Sequence, residues 1–281
     1  MAPLADSIPD ATRLGRVALR TADRSDLVSF YRDVVGLEVL ATNGTATLGV
    51  DDAPLLEIVA DGDARPRDDR EAGLFHAAFR VPDRSALGEA LVRIRDRWRL
   101  DGAADHGFSE ALYLSDPDGN GVEIYRDRPR SEWPREDGTL RAPSDPLDLE
   151  AIAAAATAGA TSTAPPGTDV GHVHLEVSSI DDARAFYVDA LGFDETVDVP
   201  AMLFVSAGGY HHHVGVNTWN GRSRPAAPEA RGLAWFELVV PPAAVERIRD
   251  RLAEGNATVT DADDGLDATD PDGVAIRIVP R

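Results

Sequence analysis

The chain of 281 residues carries 49 acidic and 28 basic side chains, which gives a formal net charge of −21 at pH 7. Nucleic acids and anionic membrane surfaces repel so acidic a protein, and we exclude both as partners. Cysteine is absent, which excludes disulfide bonds and thiolate chemistry. No stretch approaches the ~18 apolar residues of a membrane-spanning helix, and no basic start precedes an apolar run. We therefore expect a cytoplasmic protein.

The basic residues are all arginine, because lysine is absent from the chain. This bias, with the excess of acids, is typical of proteins from salt-accumulating halophiles, whose acidic surfaces stay soluble in concentrated salt. An ordinary acidic protein from a GC-rich genome would show the same bias. We favour the halophilic interpretation.

The length suits two domains of about 130 residues each. The first predicted domain, residues 12–128, contains two runs of a β-α-β-β-β pattern. Its helices are indicated by apolar residues at helical spacing and by capping residues, namely Asp23 or Ser25 and Gly36 around the first and Pro82-Asp83 before the second. The predicted elements are, in chain order, strand 17–19, helix 23–35, strands 38–40, 45–50 and 55–59, strand 74–81, helix 86–98, a loop over 102–108 and a hairpin over 112–125.

The last hairpin of this domain turns at the segment DPDGNG, residues 116–121, where proline presets φ and glycine and asparagine accept positive φ. Glu123 follows inside an otherwise apolar run. A carboxylate is costly to bury unless it is paired or bound to a metal. Glu123 therefore lies on a solvent-exposed face of the sheet or is a metal ligand.

Residues 129–168 are rich in proline, alanine, serine and threonine, which predicts a linker with a short helix near 147–157. The pattern of the first domain then returns over residues 169–281. FYRDVVGL at 30–37 matches FYVDALGF at 186–193, RIRDR at 93–97 recurs at 247–251, and DPDG at 116–119 recurs at 270–273. Three matches at a nearly constant offset identify two tandem copies of a two-module domain.

Paired β-α-β-β-β modules, FY-x-D-x-x-G after the first helix and DPDGN-x-x-E in the last hairpin resemble the vicinal oxygen chelate superfamily, which includes glyoxalase I, bleomycin-resistance proteins and extradiol dioxygenases. The segments GGYHHHVGVNTW at 208–219 and RPRSEW at 128–133 are more specifically similar to two-domain catechol-2,3-dioxygenase-like proteins. The resemblance implies an α+β fold of four βαβββ modules, in which each consecutive module pair forms one open β cup.

In enzymes of this family, the first and last strands of both modules hold a metal ion inside the cup. Carried over to the first domain, these positions hold Arg16, Glu57, His76 and Glu123. We expect Glu57, His76 and Glu123 to bind Fe(II), or else Mn(II) or another divalent ion, because a histidine with carboxylates is a hard nitrogen and oxygen set. Arg16 departs from the family pattern, which often has histidine there.

Two further residues are expected to handle protons. Tyr113 precedes Glu123 on the neighbouring strand, where extradiol enzymes carry an active-site tyrosine, and His106 lies in the loop before it. A histidine titrates near neutral pH and suits acid–base chemistry. A core aromatic residue without a catalytic role would explain Tyr113 as well.

The second domain is the rival metal site. By the same alignment it offers a single ligand among its four positions, which are His172, Gly215, Trp235 and Arg277. Because strands alternate faces, a site displaced by two residues would use His174, His213 and Glu237, so the rival set is drawn from these three and His172. Residues 211–213, all histidine, are equally compatible with a solvated turn or with a rim that contacts a substrate.

These features favour an extradiol-type ring-cleaving dioxygenase that acts on a catechol-like aromatic, with dioxygen as co-substrate and a homodimer compatible with the fold. A metal-free small-molecule binding or resistance protein is the first alternative, favoured by Arg16 and Trp235 at ligand positions. A glyoxalase-like metal-dependent lyase or isomerase, which needs no oxygen, is the second.

Overall fold

The computed structural model describes residues 7–157, 163–255 and 257–281. The chain divides into two compact units. The N-terminal unit comprises Ala18–Ala64 and His76–Gly171, and the C-terminal unit comprises Met1–Val17, Arg65–Phe75 and His172–Arg281. Three of the four divisions fall inside a continuous strand, and the fourth, between residues 64 and 65, lies in a loop.

The N-terminal unit contains two β-α-β-β-β modules, as the sequence predicts. The first consists of β1 (Arg13–Thr21), α1 (Arg24–Phe30) with a π-helical turn (Tyr31–Val35), β2 (Glu38–Ala41), β3 (Ala46–Val50) and β4 (Ala53–Ala60). The second consists of β5 (Gly73–Arg80), α2 (Arg84–Arg97), β6 (Gly102–Asp105), β7 (Ser109–Ser115) and β8 (Gly121–Asp127). The loop predicted over 102–108 is wrong in its first half, because β6 pairs with β7 despite its weak β-forming sequence.

Local capping chemistry sets the helix boundaries. The Asp23 carboxylate accepts the backbone N–H groups of Ser25 and Asp26 at the start of α1. Gly36 ends the π-helical turn with φ of 93°, a left-handed conformation that glycine adopts without a steric penalty. Asp83 caps α2 through the N–H of Ala86. The predicted caps of both helices are confirmed.

The segment after β8 is partly structured. It holds a 3-10 turn, a short hairpin, an edge strand and a helix, which are Arg130–Glu132, β9 (Arg135–Glu136) with β10 (Thr139–Leu140), β11 (Asp145–Pro146) and α3 (Leu149–Ala154). The short helix expected near 147–157 is therefore present, while residues 158–162 of the predicted linker lie outside the described residues. No helix among the described residues is long and apolar enough to cross a membrane.

The C-terminal unit repeats the module pattern. Its elements are β12 (Asp169–Glu176), α4 (Ile180–Arg184) with a π-helical turn (Ala185–Ala190), β13 (Asp194–Val199), β14 (Met202–Ser206), β15 (Val214–Asn217), β16 (Gly232–Val240), a 3-10 turn (Pro242–Ala244) leading into α5 (Val245–Glu254), β17 (Thr258–Ala262), β18 (Gly265–Thr269) and β19 (Ala275–Pro280). Within each module the last three strands form an antiparallel meander, and β8, β15 and β19 run parallel to the first strands of their modules.

The tandem repeat preserves a buried tyrosine–aspartate pair. Tyr31 donates its hydroxyl to Asp116 at 3.1 Å, and Tyr187 donates to Asp270 at 2.9 Å. In each pair the aspartate opens the DPDG turn of the last hairpin and also accepts backbone N–H groups of that turn. The two repeated sequence motifs therefore bind each other and join the first helix of one module to the last hairpin of the next.

The strand order of the sheets corrects one expectation. The orders are β17-β18-β19-β16-β1-β4-β3-β2 and β11-β6-β7-β8-β5-β12-β15-β14-β13. The first strand of the second module thus neighbours the first strand of the third, and the first strand of the first module neighbours that of the fourth. The four-module α+β fold is confirmed, but the expectation that the two modules of each predicted domain share a sheet is wrong. Any first strand offers the same unpaired backbone edge, so chain order does not select its partner.

Candidate metal centre

The pair His76 and Glu123 is buried within the N-terminal unit. The parallel strands β5 and β8 place Ala78 opposite Glu123, so that His76 and Glu123 share a face. The His76 Nε2 atom is 2.9 Å from a Glu123 carboxylate oxygen, and both side chains are buried. Because an ionised carboxylate is costly to bury alone, Glu123 requires a positive partner, either a protonated imidazole or a metal ion.

Tyr113 and His106 stand beside this pair. Tyr113 is directly opposite Glu123 across the β7–β8 ladder, and its ring centroid is 5.7 Å from that of His76. Burial, and secondarily the Glu123 charge, raises the pKa of Tyr113 well above its usual range. The hydroxyl therefore keeps its proton at neutral pH and acts as a donor.

The hydrogen bonds of His106 fix its tautomer. Its Nδ1 atom is 2.7 Å from the carbonyl oxygen of Pro143, and its Nε2 atom is 2.7 Å from the Tyr113 hydroxyl. A carbonyl oxygen only accepts hydrogen bonds, so Nδ1 carries the hydrogen and, in the neutral ring, Nε2 accepts from Tyr113. The arrangement is a short relay from a tyrosine hydroxyl to an imidazole.

Glu57, the third residue expected beside His76 and Glu123, lies on β4, which pairs with β3. It is half-buried on β4, where it is opposite Thr47 of β3. Among the described residues it does not belong to a group of histidines and acids able to share a metal ion. Its role as a ligand stays a prediction.

His172 and His174 of the C-terminal unit are both buried on β12. The His172 ring centroid lies 4.1 Å from that of His212. His174 has its Nε2 atom 3.1 Å from the Asn217 amide nitrogen and is in ring contact with Phe204. The two histidines thus have different surroundings, one histidine-rich and one aromatic.

The three consecutive histidines lie between β14 and β15 and are all buried, which rules out the solvated turn as their explanation. His211 and His212 approach through their Nδ1 atoms at 2.7 Å, and the ring of His212 stacks on Phe204 with centroids 4.0 Å apart. His213 accepts the backbone N–H of Ala207 at 3.2 Å. Aromatic packing, which the sequence alone does not reveal, draws the segment into the interior.

Glu237 is fully buried on β16 and forms an ion pair with Arg16, which also donates its backbone N–H to the same carboxylate at 3.0 Å. Burial opposes the charge, but the hydrogen bonds from Arg16 prevail and lower the pKa of Glu237. Gly15 permits this approach, because a Cβ there would be 2.6 Å from a Glu237 oxygen. Among the described residues, Glu237 is not grouped with His174 or His213 as a metal ligand, and that displaced set stays a prediction.

Trp235 fills the neighbouring position on β16. The guanidinium of Arg277 lies 3.9 Å from its ring centroid and that of Arg16 lies 5.4 Å away. Cation–π contacts with arginine stabilise such an arrangement without a metal. The positions on β1, β16 and β19 that the family alignment assigns to metal ligands are thus occupied by Arg16, Trp235 and Arg277.

Comparisons with known proteins agree with this architecture. Residues 13–124 and 169–278 match the family model described as Glyoxalase/Bleomycin resistance protein/Dioxygenase superfamily. The chain is 38% identical over 275 residues to a catechol-2,3-dioxygenase of Bacillus subtilis (strain 168), with 94% of this chain and 96% of that protein covered. It is 29% identical to biphenyl-2,3-diol 1,2-dioxygenase 3 of Rhodococcus globerulus over 41% of this chain and 63% of that one. Glyoxalase I from Zea mays shares the fold, with a TM-score of 0.59, 15% identity and 96% and 92% of the two chains covered.

Proposed function

The chain belongs to the glyoxalase/bleomycin resistance protein/dioxygenase superfamily, and from that premise we propose that it is an extradiol-type dioxygenase that cleaves the ring of a catechol-like aromatic with dioxygen. The high coverage and identity shared with the Bacillus subtilis catechol-2,3-dioxygenase support this choice among the reactions of the superfamily. Since one fold hosts many chemistries, the site has to support the reaction too.

The observation that carries the proposal is a buried pair of ligand-capable side chains in the N-terminal unit. His76 and Glu123 are buried, and each offers one ligand atom to a metal ion. An imidazole with a carboxylate is a hard nitrogen and oxygen set that suits non-haem Fe(II), and Mn(II) is the second choice. The residues present therefore fit a divalent ion, and we propose His76 and Glu123, rather than Glu57, as its ligands.

Such an ion, when bound, would lower the pKa of a coordinated catechol hydroxyl. The residues of this chain would manage the proton that is released. Tyr113 stays protonated and is hydrogen-bonded to His106, whose Nε2 is available to accept a proton.

The experiment is an anaerobic purification, reconstitution with Fe(II), and measurement of oxygen uptake and of the yellow ring-cleavage product with catechol. The proposal expects one divalent ion per chain and oxygen uptake that depends on catechol. Tight binding of an aromatic compound without metal or oxygen uptake would instead favour the binding-protein alternative. Turnover that is independent of oxygen would favour a lyase or isomerase.

The acidic composition supports a second, finer proposal, that the protein works in concentrated salt. The net charge of −21 means that the acidic side chains repel one another at low ionic strength, and salt screens that repulsion. The stability to urea should therefore rise with potassium chloride concentration. A stability that is flat or falls with added salt would contradict the halophilic interpretation.

A further inference from the structure

The turn between β6 and β7 carries His106, and a later part of the chain packs closely against it. The backbone N–H of His106 donates to the carbonyl of Ser109 at 2.9 Å, which closes the turn. Gly107 occupies the turn with φ of 71°. A Cβ atom on Gly107 would be 2.7 Å from the Pro134 ring and 3.3 Å from the Pro143 ring. The segment that follows β8 is therefore in close contact with the turn.

Arg128, the first residue of the RPRSEW motif at 128–133, binds the strands on both sides of this turn. Its guanidinium is 2.5 Å from a carboxylate oxygen of Asp105 at the end of β6, and 3.2 Å from one of Glu110 in β7. Its backbone N–H also donates to the carbonyl of Phe108 at 2.8 Å. Three contacts from one residue thus hold the turn between its two flanking strands.

The end of the motif packs on the same turn. Trp133 is buried and donates its indole N–H to the carbonyl of Arg128 at 2.9 Å. Its ring contacts that of Phe108 edge-on, with centroids 6.4 Å apart, and Phe108 stacks on His106 with centroids 5.8 Å apart. Aromatic pairs at these separations are favourable. The motif therefore builds a packed aromatic layer next to the imidazole.

The continuation of the segment reaches the imidazole itself. The edge strand β11 pairs with β6, with Asp145 opposite Asp105, and the carbonyl oxygen of Pro143 lies 2.7 Å from the Nδ1 atom of His106. A neutral imidazole without a fixed acceptor can carry its hydrogen on either ring nitrogen, whereas a carbonyl at this position retains it on Nδ1. The Nε2 atom is then the acceptor that faces the hydroxyl of Tyr113.

We propose that the RPRSEW motif is a positioning element for this relay, in which Arg128 holds the turn so that His106 keeps its hydrogen on Nδ1 and presents Nε2 to Tyr113. The inference rests on the proposed function, in which His106 accepts a proton during the reaction. Arg128 acts through His106 and is a positioning residue rather than a catalytic one. All of the residues involved belong to the N-terminal unit.

The test replaces Arg128 by methionine, which removes the guanidinium and keeps an unbranched side chain. The fold should survive, because the buried Glu110 keeps two other partners, Arg84 at 3.2 Å and Arg126 at 2.6 Å. The tautomer of His106 is read by long-range proton–nitrogen correlation NMR on the metal-free full chain with isotope-labelled histidine rings, at mildly alkaline pH. His106→Gln identifies the signals of this ring by their loss.

The wild type should show a single tautomer of His106, with the hydrogen on Nδ1. Arg128→Met should show a mixture of both tautomers, and Arg128→Lys, which keeps a cation, should restore most of the wild-type signal. In the Fe(II)-loaded protein, Arg128→Met should lower kcat for catechol by about tenfold, with KM within about twofold and unchanged metal content.

Arg84→Met is the matched control. Arg84 pairs with the same buried carboxylate of Glu110, but from the start of α2 rather than from the segment after β8. It should lose stability to urea as Arg128→Met does, and it should keep both the tautomer of His106 and the wild-type kcat. A loss of tautomer in both variants alike would mean that general loosening around Glu110 is the cause, and would overturn the inference.

The remaining outcomes separate the inference from the proposed function. An unchanged tautomer in Arg128→Met, or a changed tautomer with wild-type kcat, overturns the inference and leaves the dioxygenase proposal standing. A wild type that consumes no oxygen with catechol, while Arg128→Met still changes the tautomer, overturns the proposed function and retains the positioning of His106 by Arg128.

Discussion

Tyr187→Phe removes a single hydroxyl from the buried pair that joins the π-helical turn after α4 to the last hairpin. That hydroxyl donates to Asp270 at 2.9 Å, and both side chains are buried. Burial raises the pKa of Asp270 to about 6, against the lowering effect of hydrogen bonds from Val274 and Tyr187. Above that pH the acceptor is a carboxylate, and a hydrogen bond to a charged group contributes about 2 kcal/mol. Below it the acceptor is a neutral acid, and the bond contributes about 1 kcal/mol.

The loss of stability should therefore depend on pH. A raised native pKa means that the folded protein loses stability as pH rises from about 4, where the unfolded aspartate ionises, to about 6. Removing the hydroxyl raises the pKa of Asp270 further and extends this loss to higher pH. Tyr187→Phe should lose about 2 kcal/mol of unfolding free energy near pH 8 and about 1 kcal/mol near pH 5.

The assay is urea unfolding followed by circular dichroism at constant salt, with the midpoint and slope fitted at both pH values. Tyr31→Phe is the matched variant in the N-terminal unit, because Tyr31 donates to Asp116 at 3.1 Å and burial raises the pKa of Asp116 in the same way. It should show the same direction of pH dependence. An equal loss at both pH values, or no loss, would refute the reasoning.

Three further predictions follow from single contacts. Glu237→Gln breaks the buried ion pair with Arg16 and should cost about 2 kcal/mol of unfolding free energy at neutral pH, measured by urea unfolding. Because the pKa of Glu237 is lowered in the folded protein, the difference from the wild type should vanish as the pH falls through that pKa. A difference that stays constant with pH would contradict this prediction. Gly36→Ala forces a side chain into φ of 93° and should lower stability by about 2 kcal/mol, where an unchanged melting temperature would count against it. Tyr113→Phe removes the hydroxyl bonded to His106 and should lower kcat by about 100-fold with unchanged metal content, whereas an unchanged kcat would exclude Tyr113 from catalysis.

Local features of the fold could be predicted from the sequence because their causes are local. Asp23 and Gly36 mark the ends of the first helical segment through capping and positive φ, and both act as expected. The repeat was visible because its copies keep the same turn and helix residues. The strand β6 was missed because Gly102 to Asp105 have low β propensity, and pairing with β7 and β11 makes them a strand.

The site was only partly predictable from the sequence. His76 and Glu123 were selected because a first and a last strand of one module carry them, and the structure brings these two together at 2.9 Å. His172 was assigned to a rival set because the two modules of each predicted domain were expected to share a sheet. Which first strands adjoin is decided by long-range sheet contacts that leave no periodic signal in the sequence. The burial of His212 against Phe204 is likewise a tertiary effect.

The most direct test of the metal centre is the metal content of purified, Fe(II)-reconstituted variants, measured by plasma mass spectrometry. His76→Ala and Glu123→Ala should each lose the ion that the wild type retains. Glu57→Gln and His174→Ala are the matched controls and should retain it. If Glu57→Gln loses the metal while His76→Ala retains it, or if all variants bind as the wild type does, the proposed ligand set is contradicted.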